Sequence, residues 1–460
     1  AKHQAKPCLR PPRIAMSAIP MKDLQQHDVL SSWRVGVVGA GVAGLVCARH
    51  LRRAGLQLEV FEAADGVGGR VRTDKIEVEL PGRSGQGTFL LDRGFQILIE
   101  AYPEVKRQLD FKRLGLRSFA PGAFLAFGSG ELRIVSDPIR SPKYIFSTLL
   151  SGIASIKDLL LLSVLRLKQV LFERPYTALE GDNLLNTEDF LCQLGLSAEL
   201  VNRFLRPFFE AIYVTPLAQQ SSGCFRFVLK MLAEGRTSLP ERGMQAVSEQ
   251  LAEGLFVRVC SPVAEIRAKQ LRIGSEWKDF DAVVLATDLP SASKLFSEME
   301  SCKGTSSSTW YFALPSPPPV TEPLIVLNST LQGKTEDAVR LVDVAFPSLV
   351  QPTYAPTGWD LAAVTVRLPE NTTLGDKEGW LRSELETLFG TSLETWKLLR
   401  VYHLPFHQPA QQRKLWPPRD PLFSGIYVCG DHCAEPTLDS AMRSGRFAAE
   451  AILKDLQSTG

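Results

Sequence analysis

No stretch of the 460 residues is apolar over the roughly eighteen positions that a membrane-spanning helix needs. The nearest approach, Tyr144 to Phe172, gathers Ile145, Phe146, Leu149, Leu150, Ile153, Ile156 and the run Leu159 to Leu162. The pair Lys157-Asp158 interrupts it, so it reads as helices that line a cavity or dip into one leaflet. The formal net charge is only +2, with no basic stripe interleaved with aromatics, which excludes a nucleic-acid surface. No repeat recurs at solenoid or propeller periods. The cysteines at 8, 47, 192, 224, 260, 302, 429 and 433 are scattered. Only Cys429 and Cys433 lie close, and they read as packing around a turn rather than as a disulfide framework. His403 and His407 have the spacing of a helical metal pair, but Pro405 lies between them and no metal is expected. Asn328 and Asn371 open formal glycosylation sequons without a secretory signal to give them meaning. A Ser-His-Asp, Cys-His or paired-carboxylate constellation is also missing, and no general base can be named.

What the chain has is glycine in the right places. Arg34 to Val38 is an apolar, β-branched run that reads as a buried parallel strand, and Val42 to Arg53 carries helical periodicity. Between them Gly39-Ala40-Gly41-Val42-Ala43-Gly44 permits a tight turn, backbone approach to a pyrophosphate and close packing of helix on strand. The helix N-terminus offers free N–H donors to phosphate. Leu58 to Phe61 reads as the second strand, and Glu62, followed by Ala63, stands where an acid accepts hydrogen bonds from an adenosine ribose. Gly66-Val67-Gly68-Gly69-Arg70-Val71-Arg72 adds a second glycine cluster with two guanidinium groups suited to phosphate. Far along the chain, Gly425 to Asp431 runs into Ser440-Ala441-Met442-Arg443-Ser444-Gly445, the closing strand, acid and helix that a folded-over FAD requires.

On these motifs the sequence resembles the flavin-containing amine oxidase superfamily, which includes amine oxidases, protoporphyrinogen oxidase and phytoene desaturases. The resemblance implies FAD, bound non-covalently, with Glu62 on the ribose and Gly69-Arg70 on the pyrophosphate. It places Leu91-Asp92-Arg93-Gly94-Phe95-Gln96 beside the isoalloxazine ring and the backbone of Val263 at the adenine. Leu239-Pro240 to Gly243-Met244-Gln245-Ala246 is a further match. Gly430-Asp431 would meet the ribityl-diphosphate region, and Ser440-Ala441 the flavin, with Ser440 standing where a glycine is common and capping the last helix. Amine-binding relatives carry aromatic walls, for which Trp310, Tyr311 and Phe312 are candidates.

The fold class expected is α/β. A discontinuous Rossmann-type FAD-binding domain (33–100, 215–295, 418–458, with Asp281 to Thr287 a core strand) joins a mixed α+β substrate domain. The substrate domain comprises 101–214, expected to be largely helical, and 296–417, with strands near Leu324 to Leu327 and Ala362 to Val366 and a helix near Leu381 to Phe389. At 45% hydrophobic and 22% charged residues, the chain can bury cores for both. Residues 1–32 hold Lys2, Lys6, Arg10, Arg13 and Lys22 before Asp23. They read as a basic extension or transit-segment remnant, with a chloroplast address preferred and a cytoplasmic one as the alternative. The favoured function is oxidation of a hydrophobic small molecule, carotenoid- or tetrapyrrole-like, with dioxygen or a quinone as acceptor and peripheral membrane contact. An amine oxidase, a non-catalytic FAD subunit of a membrane complex and an NAD protein are the alternatives.

Overall fold

The computed structural model describes residues 32–79, 86–136, 140, 152–179, 185–300, 304–330, 338–369, 377–411, 420–423 and 425–459. The basic extension, Tyr144 to Leu150 and Asn371 therefore lie outside the described residues, as do Cys8 and Cys302.

The run Arg34–Val38 is buried from Val35 onward because it forms the centre of a five-stranded parallel sheet. The sheet order is Val257–Arg258, Gln57–Phe61, Arg34–Val38, Ala282–Leu285, Ile426–Val428, every pairing parallel. Short apolar runs of this kind are what a sheet covered on both faces demands. Helix Val42–Arg53 leaves the first strand through the glycine loop and meets the last helix, Leu438–Thr459. The approach is close enough that a Cβ on Gly445 would come 2.1 Å from Ala43 O. A Cβ on Gly44 would likewise sit 2.1 Å from Gly39 O and 3.0 Å from Ala286 Cβ, so both glycines are required by packing.

The second large sheet has seven strands, in the order Lys397–Pro409, Gly304–Leu314, Asp360–Leu368, Arg340–Ala345, Ile325–Asn328, Gly122–Ala126, Leu132–Ser136. All pairs are antiparallel except Ile325–Asn328 with Gly122–Ala126. Within 101–214 most of the regular structure is helical, and two strands of the stretch join this sheet as well. Gly122–Ala126 and Leu132–Ser136 are strands, and the continuous apolar run Ala123 to Ala126 hides their alternation because it is buried on both sides. Helices Ile156–Phe172, Thr187–Gln193 and Arg206–Tyr213 supply most of the helical part of that stretch, and Ser222–Glu234 follows it. Helix Glu378–Phe389 packs Leu381, Leu385, Leu388 and Phe389 onto the other side of the sheet, with Trp310 and Phe312.

Two smaller features of the sequence also find their place. His403 and His407 stand on the strand Lys397–Pro409, so their spacing does not put them on one helix face. Asn328 is buried and its amide donates to Leu341 O at 3.1 Å, which leaves no room for a glycan on the folded chain. Among the described residues no helix is long and apolar enough to cross a membrane.

Candidate cofactor and substrate site

A cavity of about 930 Å³ begins at the glycine loop and runs to the helices of the first insertion. At the loop end its wall holds Gly39, Gly41, Val42, Ala43, Glu62, Ala63, Gly69 and Arg70. Gly41 is the N-cap of helix Val42–Arg53 and no side chain caps that terminus, so its first N–H groups are left for a ligand. A Cβ on Gly41 would meet nothing within 4 Å, because that side of the residue is cavity. Gly44 does not line the cavity; its part is the helix–strand contact described above.

Glu62 is held in place by backbone. Ala40 N donates to its Oε2 at 2.8 Å and Ala64 N to its Oε1 at 2.9 Å, which fixes the carboxylate at the cavity edge with lone pairs to spare. Pro262 and Val263 close the same end, Val263 opening a three-stranded antiparallel sheet of its own with Gln270–Ile273 and Glu276–Asp279.

Arg70 reaches across the cavity. Its Nη1 lies 2.7 Å from Asp431 Oδ2 and donates to His407 O at 2.7 Å, while Gln96 Nε2 donates to Arg70 O at 2.7 Å. Burial pushes the Asp431 carboxyl up, but the Arg70 guanidinium outweighs it and the net position is below the usual range. The other oxygen, Asp431 Oδ1, is buried with no hydrogen-bond donor, an acceptor left for a bound molecule. Burial and then the Arg70 charge bring the His407 imidazole down to about 4, so it is neutral at ordinary pH. Arg72, expected to share in phosphate binding, pairs instead with Asp65 at 2.8 Å and does not line the cavity.

The stretch 94–97 crosses the middle of the cavity. Phe95, Gln96 and Ile97 line it, whereas Gly94 provides the turn, at φ +94. Just before it, Asp92 is locked by Thr73 Oγ1 at 2.5 Å, Met244 N at 3.0 Å and Tyr354 Oη at 2.9 Å. The segments around Asp92 and Gly243-Met244 are thereby joined.

At the closing end, Gly430, Asp431, Pro436, Thr437, Leu438 and Ala441 line the wall. The last helix begins at Leu438, two residues before Ser440, and its cap is Thr437, whose Oγ1 accepts from Ser440 N at 3.1 Å. Ser440 is buried and donates to Glu435 Oε2 at 2.9 Å; it neither caps the helix nor reaches the cavity. Thr437 sits three residues before Ser440, the spacing of a cap to the N–H that donates to it, and that signal was present in the sequence. Cys429 and Cys433 are both buried, and Cys429 is beside Cys47 of the first helix, whose thiol is pushed up by that contact and by burial.

Beyond 94–97 the wall is mainly apolar, with Leu159, Leu162, Phe204, Phe208, Ile212 and Leu229 among its residues, and Arg140 and Arg166, which donate to Leu232 O and Ala233 O, also line it. Trp310 and Phe312 are not in it. They pack into the sheet core, and Tyr311 donates to Asp92 O at 2.9 Å. Thr309, Thr365 and Asp343 do line the cavity, and sequence reasoning passed over them. The signal available was a lone acid inside the apolar strand Leu341-Val342-Asp343-Val344-Ala345.

A glycine loop on a parallel sheet, an acid after the second strand and a helix N-terminus returning to the same cavity define a dinucleotide-binding flavoprotein fold. The chain belongs to the family of flavin containing amine oxidoreductases, whose family model matches residues 42–453. FAD is the cofactor of this class of oxidoreductase, and the uncapped helix, the open side of Gly41 and the unpartnered Asp431 oxygen fit it. Protoporphyrinogen oxidase 2, chloroplastic/mitochondrial, of Arabidopsis thaliana is 41% identical over 92 residues. That match covers 20% of this chain and only 16% of the relative's own length. An oxidoreductase from Methanosarcina mazei superposes with a TM-score of 0.66 at 18% identity, over 92% of this chain and 100% of the other. Cyclohexylamine oxidase from Brevibacterium oxydans gives 0.60 at 16%, over 92% and 99%. At such identity these two establish the fold alone.

Proposed function

We propose that the protein oxidises an apolar small molecule, carotenoid- or tetrapyrrole-like, by dehydrogenation, desaturation or redox isomerisation. The observation that carries this reading is the apolar wall that continues the cofactor end of the cavity into the helices around Leu159, Phe204 and Leu229. Bound FAD would supply the redox chemistry, as a two-electron acceptor for a hydride equivalent from a substrate C–H bond, with dioxygen or a quinone as the final acceptor. The chain binds, orients and excludes water. In this reading Glu62 holds the ribose, and the N–H groups at Val42 and Ala43 with Gly69-Arg70 hold the pyrophosphate. Val263 would back the adenine, Phe95 and Gln96 after the Gly94 turn would flank the ring, and Asp431 and Ala441 would meet the ribityl chain and ring edge. Trp310 and Phe312 are buried away from the cavity and supply no aromatic wall for an amine.

Acid precipitation is expected to release free FAD from the protein. Glu62→Ala and Arg70→Ala are each expected to weaken FAD titrated onto apo-protein by tenfold or more, since a charged hydrogen bond contributes about 1.5 to 3 kcal/mol. Unchanged affinity in both variants removes the proposed site. An anaerobic screen should bleach the flavin with polyenes or porphyrinogens. Bleaching by small hydrophilic amines alone promotes the amine oxidase. The rate at which air restores the colour separates dioxygen from a quinone as acceptor.

Helix Ile156–Phe172 favours peripheral membrane contact. Its outward residues Ile156, Leu160, Val164, Leu167, Val170, Leu171 and Phe172 are 40 to 79% exposed. Ile156, Leu160, Val164, Leu167 and Leu171 fall on one stripe, while Leu159 and Leu162 line the cavity from the adjoining face. The exposed charges at its edge, Lys157, Lys168 and Arg174, are all basic. The acids are consumed: Asp158 is buried in the capping box with Ser155, and Glu173 pairs with Arg226 at 2.8 Å. An apolar stripe fringed by cations matches an anionic lipid surface. Leu160→Glu with Val164→Glu is expected to reduce cosedimentation with anionic phosphatidylglycerol vesicles at unchanged FAD content, and equal partitioning with the parent overturns the membrane contact. A plastid address is proposed on the basic composition of residues 1–32 and the partial likeness to a relative named chloroplastic/mitochondrial. A reporter fused to residues 1–32 that stays outside plastids overturns it.

A further inference from the structure

Three neighbouring strands of the seven-stranded sheet set three polar side chains in a row. Thr309 is in register with Thr365, and Asp343 is in register with Thr365 from the other side. Side chains in register on adjacent strands project from one face, and all three line the cavity. Leu327, in register with Asp343, continues the row as an apolar residue. Thr309 Oγ1 accepts from Phe95 N at 3.4 Å, which ties the row to the stretch 94–97. Asp343 accepts from Thr365 Oγ1 at 3.2 Å and is only 2% exposed.

The geometry points to a substrate subsite: Thr309, Thr365 and Asp343 receive one neutral hydrogen-bonding group, a carbonyl or hydroxyl, carried by an otherwise apolar substrate. This rests on the apolar-substrate reading above and adds the chemistry of the substrate's single polar end. A carboxyl buried in an apolar strand costs stability that a purely structural position would avoid. Burial pushes the Asp343 carboxyl up to about 8, with Thr365 the one hydrogen bond that opposes it. At neutral pH the group is therefore a carboxylic acid, able to donate to a carbonyl, and above about 8 it becomes an acceptor-only carboxylate.

Other charged groups surround this part of the sheet. Arg340 on the same strand lies 3.7 Å from Glu210 of helix Arg206–Tyr213, Arg206 pairs with the same carboxylate at 3.6 Å, and Arg367 acts on it from the neighbouring strand. Burial also raises Glu210, and it raises the phenol of Tyr311 far beyond the working range. A pH effect belongs to Asp343 only if an Asn at that position removes it.

The test uses the FAD-loaded protein, anaerobically, and three probes of one shape: butylbenzene, benzylacetone and phenylbutylamine. Affinity is read from the shift of the flavin absorption band. At pH 6.5 benzylacetone is expected to bind about fivefold or more tighter than butylbenzene, the scale of one neutral hydrogen bond. The preference should disappear by pH 9.5 in the parent. In Asp343→Asn, which keeps a neutral donor, the preference should survive at both pH values, and in Asp343→Leu it should be lost at both. Equal binding of ketone and hydrocarbon by the parent overturns the subsite, as does a preference that survives in Asp343→Leu or an Asn variant as weak as the Leu variant. Phenylbutylamine binding more tightly than the ketone, and more so above pH 8, also overturns it in favour of an ionised Asp343 that pairs with an ammonium. If neither butylbenzene nor benzylacetone shifts the band, the apolar-cavity reading fails first and this subsite with it.

Discussion

The closure of the parallel sheet by its last strand is the constraint on which the site depends. Ile426–Val428 pairs with Ala282–Leu285, which pairs with Arg34–Val38, so the C-terminal strand ends level with the first glycine loop. Only then can Asp431 face Arg70 and the start of helix Leu438–Thr459 face the start of helix Val42–Arg53. The closure is sterically exacting, because Ala43 O comes so near Gly445 that any side chain there would collide with it. Two helix N-termini then converge on one cavity, which concentrates positive potential where an anionic dinucleotide is to lie.

The second sheet has a different task. One of its faces is packed by helix Glu378–Phe389 while part of the other forms cavity wall. Joined to it by the parallel pairing of Gly122–Ala126 with Ile325–Asn328, the segments 101–214 and 296–417 build one wall between them. That pairing unites two parts of the chain separated by the whole of 137–324, and it is the reason a helical insertion and a strand-rich insertion behave as one surface.

The legible parts of the sequence were those in which a local pattern has only one use. The apolar run before Gly39, the glycine spacing, Glu62 after its strand and the Gly430-Asp431 turn each found their place at the cavity. The illegible parts depended on register or on a partner remote in sequence. Nothing local tells that Arg72 turns to Asp65 while Arg70 turns to Asp431. Ser440 was read as a cap because serine caps helices, but Thr437 stands at the proper distance and Glu435 takes the serine hydroxyl. Alternation along a strand puts Thr309 and Thr365 on some face, yet only the pairing of strands places them beside Asp343.

Three buried aspartates show how the same burial yields three different groups. Each pays a desolvation cost that favours the protonated form, and the partners decide how much of it is recovered. Asp431 has a full positive charge at 2.7 Å from Arg70, enough to overturn burial and leave a carboxylate. Asp92 has three neutral donors, Thr73, Met244 N and Tyr354, which recover part of the cost and leave it at about 6. Asp343 has Thr365 alone and rests near 8. The order follows the number and charge of the donors rather than depth, since all three are almost fully buried. The carboxylate stands at the cofactor end, the well-satisfied acid braces the stretch that leads to 94–97, and the acid with the fewest partners faces the cavity beside the apolar wall. A carboxyl with a single side-chain donor, placed on the cavity wall, keeps hydrogen-bonding capacity that a molecule in the cavity can use.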